Sequence, residues 1–383
     1  MKVKKISDIA GLETLQNQWN ELLARSGGDT IALTWEWLHT WWLVFGEGRE
    51  LYVLVVYDDG TVVGIAPLLR RSVRHFGMSY RRLEFLASGE DERDEICSEY
   101  LDFIIEKGKE EAVLGAIQRY LTAHRQEWDE IVLTKMRADA SAAKLPGLCN
   151  SAHIHCQAAG DGHTTYVPLP KDWETIEKSL GKSFRQNLRN LRSRCDKDGA
   201  QFEVIETEAG FDRAFDNLMR LHQERWTQRG EPGVFSSEKF TRFHRELCRL
   251  LLPKKQVRLF QLSFHGEAIA SLYTFVYEGE ISNYQNGLSP TSRASYSPGT
   301  VLLSHAIEHS INSRQRVWDF LGGSDDYKSR WNCQQRELVS LRLAWRTPRE
   351  TWCRLMGLGV QSLRNIKRRL RRSSPSPADT ANP

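Results

Sequence analysis

One order of secondary structure elements occurs twice along this chain of 383 residues. In the first half, Leu51–Tyr57 and Thr61–Leu69 flank an Asp-Asp-Gly turn and predict a β-hairpin. The spacing of apolar residues then predicts a helix over Glu110–Gln126, and a Trp-Asp pair at Trp128 begins an apolar strand. A hairpin, a helix and a further strand in this order indicate an α+β unit.

The second half repeats this order. Val257–Phe264, Ala268–Tyr277 and Glu280–Asn286 predict a three-stranded antiparallel meander, and Thr300–Ser313 predicts a helix with its apolar residues on one face. Ser297 and the proline after it suit the N-cap and the first helical position. A second Trp-Asp pair follows this helix, and the repeated order predicts two similar α+β domains, which suits the length of the chain.

The boundary between the two domains is predicted in Ala158–Asp172, where two glycines and two prolines interrupt the pattern. We therefore divide the chain into an N-terminal domain at 1–165, a C-terminal domain at 166–345 and a basic tail at 346–383. The tail is predicted to be helical to about Arg372 and disordered beyond it, because its last residues are rich in Ser, Pro and Ala.

The sequence lacks the motifs that mark several classes of protein. The seven cysteines are scattered without a C-x-x-C pair, which argues against a disulfide framework and a zinc site and favours a reducing, cytoplasmic compartment. No His-Glu-x-x-His motif occurs, so we predict no metal. The absence of a G-x-S-x-G elbow and of a P-loop argues against a serine hydrolase and an NTPase.

The net charge of +4 is unevenly placed. Lys182–Lys197 carries six basic residues and one acid, and 346–383 carries nine basic residues and two acids. This distribution excludes a uniformly basic nucleic-acid-binding protein, and we predict no DNA partner. The tail either binds an anionic membrane surface or a synthase partner at the inner membrane face, or it is only a solubilising extension.

Motifs in the second half carry a family resemblance. They are Arg225-Trp226-x-x-Arg229-Gly230, Gly233-x-Phe235, Ser297-Pro298-Gly299 and Asp319-Phe320-Leu321-Gly322-Gly323-x-Asp325-x-Tyr327-Lys328-x-x-Trp331. Together they resemble the GNAT-type acetyltransferase family associated with cellulose and other polysaccharide biosynthesis. That family is similar to the Fem-type peptidyltransferases, which are built from two GNAT-like domains.

The resemblance implies a fold and an activity. The fold would consist of two GNAT-like (acyl-CoA N-acyltransferase) domains of the α+β class, each with a mixed, largely antiparallel sheet flanked by helices. The activity would be transfer of an acetyl or other acyl group from acyl-CoA to an amine or hydroxyl of a sugar or polysaccharide-related acceptor. The N-terminal domain would be a degenerate copy that completes the acceptor cleft.

The resemblance also places the acyl-CoA donor. In such folds the last meander strand separates from its neighbour and pairs with the pantetheine arm, which indicates Tyr284 and Asn286. The next helix would offer the amides near Ser297, Gly299 and Thr300 to the pyrophosphate, since a helix N-terminus attracts anions. The segment before this helix has one glycine where the usual phosphate loop has two, and an ordinary capped helix is the alternative.

The motif at Asp326, Tyr327 and Lys328 supplies the predicted catalytic residues. An Asp can accept the acceptor proton, a Tyr can act as the acid and a Lys can offer a point charge. The resemblance to Fem-type enzymes implies that Lys328 neutralises developing negative charge. The alternative is the acidic first turn of a capped helix.

Substrate contacts are predicted from the arginine face of Lys182–Lys197, namely Arg185 and Arg189, and from Arg225, Trp226 and Asp319. Guanidinium groups suit phosphates of CoA or of a phosphorylated acceptor. The other interpretation of the arginine face is a solvated helix surface.

Two other functions remain open at this point. The first keeps the fold but takes aminoacyl-tRNA as the donor, as Fem-type enzymes do. The second is a non-catalytic scaffold of a membrane-bound polysaccharide synthase, docked through the basic tail.

Overall fold

The structure is a computed structural model that describes residues 1–28, 30–148, 153–290, 294–323 and 327–357. The strands of the first half are β1 (Lys2–Ile6), β2 (Glu50–Leu51), β3 (Val53–Asp58), β4 (Thr61–Ala66), β5 (Leu68–His75), β6 (Met78–Phe85), β7 (Ile104–Ile105) and β8 (Glu130–Arg137). Its helices are α1 (Ile9–Glu13), α2 (Gln16–Ala24), α3 (Trp35–Phe45), α4 (Glu110–Ala123) and α5 (Leu145–Leu148).

The second half supplies the remaining elements. Its strands are β9 (Ile154–Pro168), β10 (Ala200–Ile205), β11 (Val257–Phe264), β12 (Glu267–Tyr277), β13 (Glu280–Leu288), β14 (Val317–Asp319) and β15 (Gln334–Trp345). Its helices are α6 (Trp173–Ser179), α7 (Lys182–Lys197), α8 (Phe211–Gln228), α9 (Glu238–Leu251) and α10 (Pro298–Asn312).

The predicted repeat is present in both halves. The first hairpin forms as β3 and β4, and the meander forms as β11, β12 and β13. In each half a helix, α4 or α10, then leads to a strand that joins the sheet in parallel: β8 beside β6 and β14 beside β13. A parallel strand pair needs a crossover connection, and these helices provide it. The α+β class is therefore confirmed.

The sequence predicted a separate sheet in each domain, but the larger sheet of the structure contains strands of both halves. Four strands form one sheet in the order β1-β3-β4-β7, and eleven form another in the order β10-β11-β12-β13-β14-β9-β15-β8-β6-β5-β2. The long strands β9 and β15 lie between β14 and β8 and join the two halves. The backbone hydrogen bonds of β14 and β8 are thereby satisfied across the boundary.

The predicted boundary at 165/166 lies inside β9, so the chain there is a continuous strand rather than an irregular linker. Gly160 and Gly162 are accommodated within this strand, and Gly162 has a φ of +91°. The sequence predicted only a short strand at this place because glycines usually interrupt strands. The three-part division of the chain stays a prediction.

Tryptophan side chains fill much of the core. Trp37 on α3 is 2% exposed and packs edge-on against Phe243 and Phe275 from the second half, with ring centroids 5.4 and 5.1 Å apart. Its indole N–H donates to Ser98 Oγ at 2.9 Å. One aromatic cluster therefore packs the two halves against each other, and edge-on geometry of this kind adds about 1 kcal/mol per pair to the burial term.

The tail is described as far as residue 357, and 348–357 form a helix. Arg342 on β15 bonds the buried carboxylate of Glu130 and, with both terminal nitrogens, that of Glu350, at 2.6 and 2.8 Å. The start of the tail is thus fixed to the large sheet. The helix predicted to about Arg372 and the disorder beyond it lie outside the described residues. Among the residues that are described, no helix is both long and apolar enough to cross a membrane.

Candidate functional site

The parallel pair β13 and β14 opens into a gap. The two strands pair only from Glu280/Val317 to Ser282/Asp319. Beyond that point β13 continues to Leu288 along β12, whereas the chain after β14 turns away and Phe320 N–H donates to the Thr165 carbonyl at 2.8 Å. Backbone groups of β13 from residue 283 onward therefore face the gap, and the separation that the resemblance implied for the last meander strand is present.

A β-bulge divides the side chains of β13 between two cavities. Asn283 pairs with Thr274 and Gln285 with Tyr273, so Tyr284 has no partner on β12. The extra residue sends Asn283 and Asn286 to the face covered by α10, and Ser282 and Tyr284 to the opposite face. We call these two spaces the α10 cleft and the Glu99 cavity.

The α10 cleft, of about 330 Å³, brings together many of the predicted site residues. Its lining includes Arg225, Asn286, Ser297, Gly299, Thr300 and Tyr327. Phe184, Leu272, Leu288, Leu303 and Trp331 add an apolar wall. The amide oxygens of Asn283 and Asn286 are buried and have no hydrogen-bond partner within the described residues. A buried amide oxygen without a partner favours a ligand that donates a hydrogen bond.

The N-terminus of α10 offers few donors to an anion. Ser297 occupies the predicted N-cap position with φ +46°, although its side chain makes no capping hydrogen bond. The N–H groups of Thr300 and Val301 both donate to the Ser297 carbonyl, at 2.9 and 3.1 Å. Because Pro298 has no N–H, the Gly299 N–H is the first-turn amide without a hydrogen-bond acceptor among the described residues. Arg225 and Arg330 also line the cleft and supply positive charge. Burial, with the charge of Arg229, lowers the pKa of Arg225.

Three residues predicted to contact substrate lie elsewhere. Arg189 forms two bonds to Glu177 on α6, at 2.9 and 2.6 Å, and Arg185 donates to the Lys178 carbonyl at 3.0 Å. Trp226 lies outside the lining of both cavities, and the Arg229 guanidinium stacks on its ring. The apolar face of α7 packs on the core, so its arginine face is turned to solvent and to α6.

Tyr284 also lies outside the α10 cleft. Its hydroxyl donates to the Ile96 carbonyl and accepts from His244 Nε2 at 3.1 Å. Burial lowers the pKa of His244 to about 3, so the ring is neutral and its Nδ1 accepts from Tyr273, 3.2 Å away. This chain of hydrogen bonds fixes the segment that follows Ile96. The bulge in β13 places Tyr284 on the opposite face of the sheet from the other predicted donor-binding residues. The sequence gives no sign of this bulge.

Asp319 is a buried anchor and has no access to either cavity. It is 0% exposed, and one carboxylate oxygen accepts from Tyr100 Oη at 2.7 Å and Arg336 Nη1 at 2.9 Å. The other accepts from the Leu321 N–H at 2.7 Å. Burial raises the pKa of Asp319, and these partners oppose the rise. The predicted substrate contact is therefore replaced by a link between the halves.

The predicted catalytic residues occupy different environments. Tyr327 is exposed and lines the α10 cleft, whereas Lys328 is 2% exposed. The Lys328 ammonium donates to the carbonyls of Leu321 and Gly322 at 3.0 and 2.6 Å and thereby holds the turn after β14. Asp326 lies outside the described residues, so its predicted role as base stays a prediction.

The Glu99 cavity, of about 340 Å³, lies between the two halves. Ser282 and Tyr284 line it from β13, Leu321 lines it from the turn after β14, and Glu99 lines it from the first half. Both carboxylate oxygens of Glu99 lie 3.1 Å from the Gly322 N–H. The carboxylate is therefore fixed where β13 and β14 separate.

Burial raises the pKa of Glu99 to about 7, and the charge of Asp319 acts in the same direction. The Gly322 N–H, Lys135 and Lys328 oppose the rise. A carboxylate with a pKa near neutrality suits proton transfer at physiological pH. The sequence analysis did not single out Glu99. No motif described above includes this residue, so the sequence offers no signal that marks it.

No group of three or more His, Cys, Asp or Glu side chains suited to a metal ion occurs among the described residues.

Comparison with known proteins supports an acyltransferase. Residues 182–329 match the family model described as acetyltransferase (GNAT) domain. The structure is similar to the crystal structure of FemX, with a TM-score of 0.59 and 12% sequence identity over 88% of this chain and 97% of that chain. No curated protein matches the sequence.

Two further solved structures have related folds. A C-terminal domain described as belonging to a lysylphosphatidylglycerol synthetase from Agrobacterium fabrum has a TM-score of 0.52 and 12% identity, over 91% of this chain and 96% of that chain. L-PGS from Bacillus licheniformis has a TM-score of 0.50 and 14% identity, over 89% and 95%. At such identities the likeness concerns the fold alone.

The fold and the family match agree with each other. The similarity to Fem-type enzymes that the sequence motifs implied is confirmed at the level of the fold by FemX, and residues 182–329 match the GNAT acetyltransferase domain. The family match and the fold together support a GNAT-type acyltransferase activity.

Proposed function

We propose that this GNAT-type acyltransferase takes an acyl group, in the first instance acetyl, from acyl-CoA bound in the α10 cleft. The observation that carries the proposal is the gap between β13 and β14, which opens directly into a cleft lined by six of the residues predicted from the sequence. A substrate arm in this gap can hydrogen-bond to the unpaired edge of β13.

The lining of the α10 cleft suits each part of such a donor. The amide oxygens of Asn283 and Asn286 can accept from the amide N–H groups of a pantetheine arm. The apolar wall accommodates its methylene groups. Arg225, Arg330 and the Gly299 N–H offer positive charge and one backbone donor to phosphates. The single amide predicts that arginine side chains contribute more to phosphate binding than the helix does.

Replacing Asn283 with leucine should weaken acetyl-CoA binding about 5–10-fold, because one hydrogen bond of roughly 1 kcal/mol is lost. Stability of the unliganded protein should be unchanged or higher, since the buried oxygen without a partner is removed. Isothermal titration and urea unfolding measure the two quantities. The matched control is Asn190→Leu on the exposed surface of α7, for which acetyl-CoA affinity should be unchanged. An equal loss in both variants would contradict the assignment.

The choice of donor can be tested by direct binding. Acetyl-CoA should bind the full chain and raise its melting temperature, whereas aminoacyl-tRNA should bind only weakly and without dependence on Asn283. Binding of aminoacyl-tRNA with no response to acetyl-CoA would favour the Fem-like alternative. Loss of binding to both donors would favour a non-catalytic scaffold.

We propose a sugar or other polysaccharide-related acceptor on the strength of the sequence motifs alone, and a cytoplasmic location. The tail would bring the enzyme to an anionic membrane surface or a synthase. The full chain should bind anionic vesicles more strongly than a chain that ends at residue 357, which keeps the helix fixed by Arg342. Equal binding of the two chains would dismiss the membrane contact.

A further inference from the structure

The Glu99 cavity and the α10 cleft lie on opposite faces of the same strand. Ser282 and Tyr284 face one space and Asn283 and Asn286 the other, and the pairing of β13 with β14 ends between them at Ser282/Asp319. A thioester held along β13 from the α10 side would end at this gap. The carboxylate of Glu99 is fixed at the same gap by the Gly322 N–H.

Besides Glu99, the lining of this cavity carries Lys107, Arg137 and Arg316 and the carboxylates of Glu278 and Glu280, and Glu280 is paired with Arg137 and Arg336. Arg316 immediately precedes β14, and its guanidinium donates to the Glu278 carbonyl. Lys107 lines the same cavity from the first half. Within the described part of the chain, neither cation has a carboxylate at ion-pair distance. Leu321 lies five positions after Arg316, so the Cα atoms of these two lining residues lie at most about 16 Å apart at ~3.3 Å per extended residue.

We infer that the Glu99 cavity is the acceptor site, that Glu99 is the general base, and that the acceptor is an amine which also carries an anionic group. This inference rests on the proposed acyl-CoA donor and adds the substrate class. The amine would lie at the gap beside Glu99. The anionic group, a carboxylate or a phosphate, would lie between Arg316 and Lys107.

The transfer balances with these groups. The Glu99 carboxylate takes one proton from the acceptor ammonium and releases it to solvent. The amine nitrogen forms a bond to the thioester carbon, and the carbon–sulfur bond breaks. The second proton leaves the nitrogen and ends on the departing sulfur as the CoA thiol, so the products are an amide, CoA thiol and one solvent proton.

The pH dependence follows from the ionisation of Glu99. Burial and the charge of Asp319 on β14 raise its pKa, whereas the Gly322 N–H, Lys135 on β8 and Lys328 lower it, and the result is a pKa of about 7. The titratable groups of Cys97, Tyr100 and Tyr284 also interact with this carboxylate. The base form increases as the pH rises through this value. The rate with saturating donor should therefore rise about tenfold per pH unit below 7 and level off above it. The Glu99→Gln variant should lack this rise below pH 7.

The acceptor class is tested with matched probe pairs that share an amine and differ in the anion: triglycine against triglycinamide, and glucosamine 6-phosphate against glucosamine. Fully extended triglycine spans about 10 Å, and the long Arg316 side chain can cover the remaining distance to the carboxylate of the peptide. With CoA-saturated full-length protein, the anionic member of at least one pair should bind about tenfold more tightly. Arg316→Met and Lys107→Met should each remove most of that difference. The favoured pair separates a peptide carboxylate from a sugar phosphate.

Glu99→Gln should reduce the acetylation rate of the favoured probe about 100-fold and leave acetyl-CoA affinity unchanged. Gly322→Ala should have a similar effect, because a Cβ there would lie 2.5 Å from Glu99 Oε1. Glu95→Gln, outside the cavity lining, is the matched control and should retain the wild-type rate.

Equal binding within both probe pairs, binding of neither pair, or a normal pH profile in Glu99→Gln would overturn this inference while acetyl-CoA still binds. Absence of acetyl-CoA binding would instead overturn the proposed donor.

Discussion

Replacing Lys328 with methionine should lower turnover 100-fold to 1,000-fold while acetyl-CoA affinity remains within about twofold. The Lys328 ammonium donates to the Leu321 and Gly322 carbonyls, and the Gly322 N–H of the same turn donates to the Glu99 carboxylate. Hydrogen bonds from a charged donor contribute about 1.5–3 kcal/mol each, and the substitution would leave two carbonyls without this donor. Lys328 is thus predicted to act as a positioning residue, through the turn, in addition to the charge role that the resemblance implied.

The pH profile separates these effects from simple misfolding. The charge of Lys328 lowers the pKa of Glu99. Its removal should therefore raise that pKa and move the acid limb of the rate profile to higher pH. Lys135→Met is the matched control, because Lys135 also lowers the pKa of Glu99 but lies on β8 rather than in the turn after β14. It should shift the limb in the same direction with little loss of plateau rate. Full activity of Lys328→Met would contradict both roles.

Replacing Arg336 with leucine should lower the free energy of unfolding by about 3–5 kcal/mol, because a buried carboxylate loses its counter-ion. Arg336 Nη1 lies 2.9 Å from Asp319 Oδ2, and Arg336 Nη2 lies 3.3 Å from Glu280 Oε1. Asp319 is fully buried and would keep only the Tyr100 hydroxyl and the Leu321 N–H as partners. Equilibrium urea unfolding at pH 8 measures the loss.

The cost should depend on pH in a defined direction. Without Arg336 the folded-state pKa of Asp319, which burial already raises, should rise further above its unfolded value. A raised carboxyl pKa gives stability that is present at low pH and lost as the pH rises. The difference between wild type and variant should therefore be smaller at pH 5 than at pH 8. The double variant with Asp319→Asn should recover part of the loss, and an unchanged loss would show that Arg336 acts through Glu280 alone.

The repeated order of elements could be predicted because it depends on local pattern. The runs that form β3, β4 and β11–β13 alternate with Gly-containing turns, and the helix that became α10 has an apolar face. Motifs of the second half similarly indicated the α10 cleft, since Asn286, Ser297 and Gly299 are close together once β13 leads into α10. These features depend on residues that are near one another in the sequence.

Tyr284 and Asp319 were misplaced for a different reason. A single bulge in β13 turns Tyr284 to the opposite face of the sheet, and a bulge depends on the pairing of β13 with β12 rather than on either sequence. Asp319 is sequestered by Tyr100 and Arg336, which are 219 and 17 positions away. Arg189 likewise pairs with Glu177 of another helix, a partner that the pattern of α7 by itself does not reveal.

The sequence by itself determined the two α+β repeats, the GNAT-type motifs and six residues of the α10 cleft, because hydrophobic period, turn chemistry and motif spacing are encoded locally. Only the tertiary structure decided that β9 and β15 merge the halves into one sheet of eleven strands and that Glu99 of the first half meets Gly322 of the second. Strand order and the burial of a carboxylate are set by partners distant in sequence. The raised pKa of Glu99, on which its proposed role as base depends, therefore arises only in the folded chain.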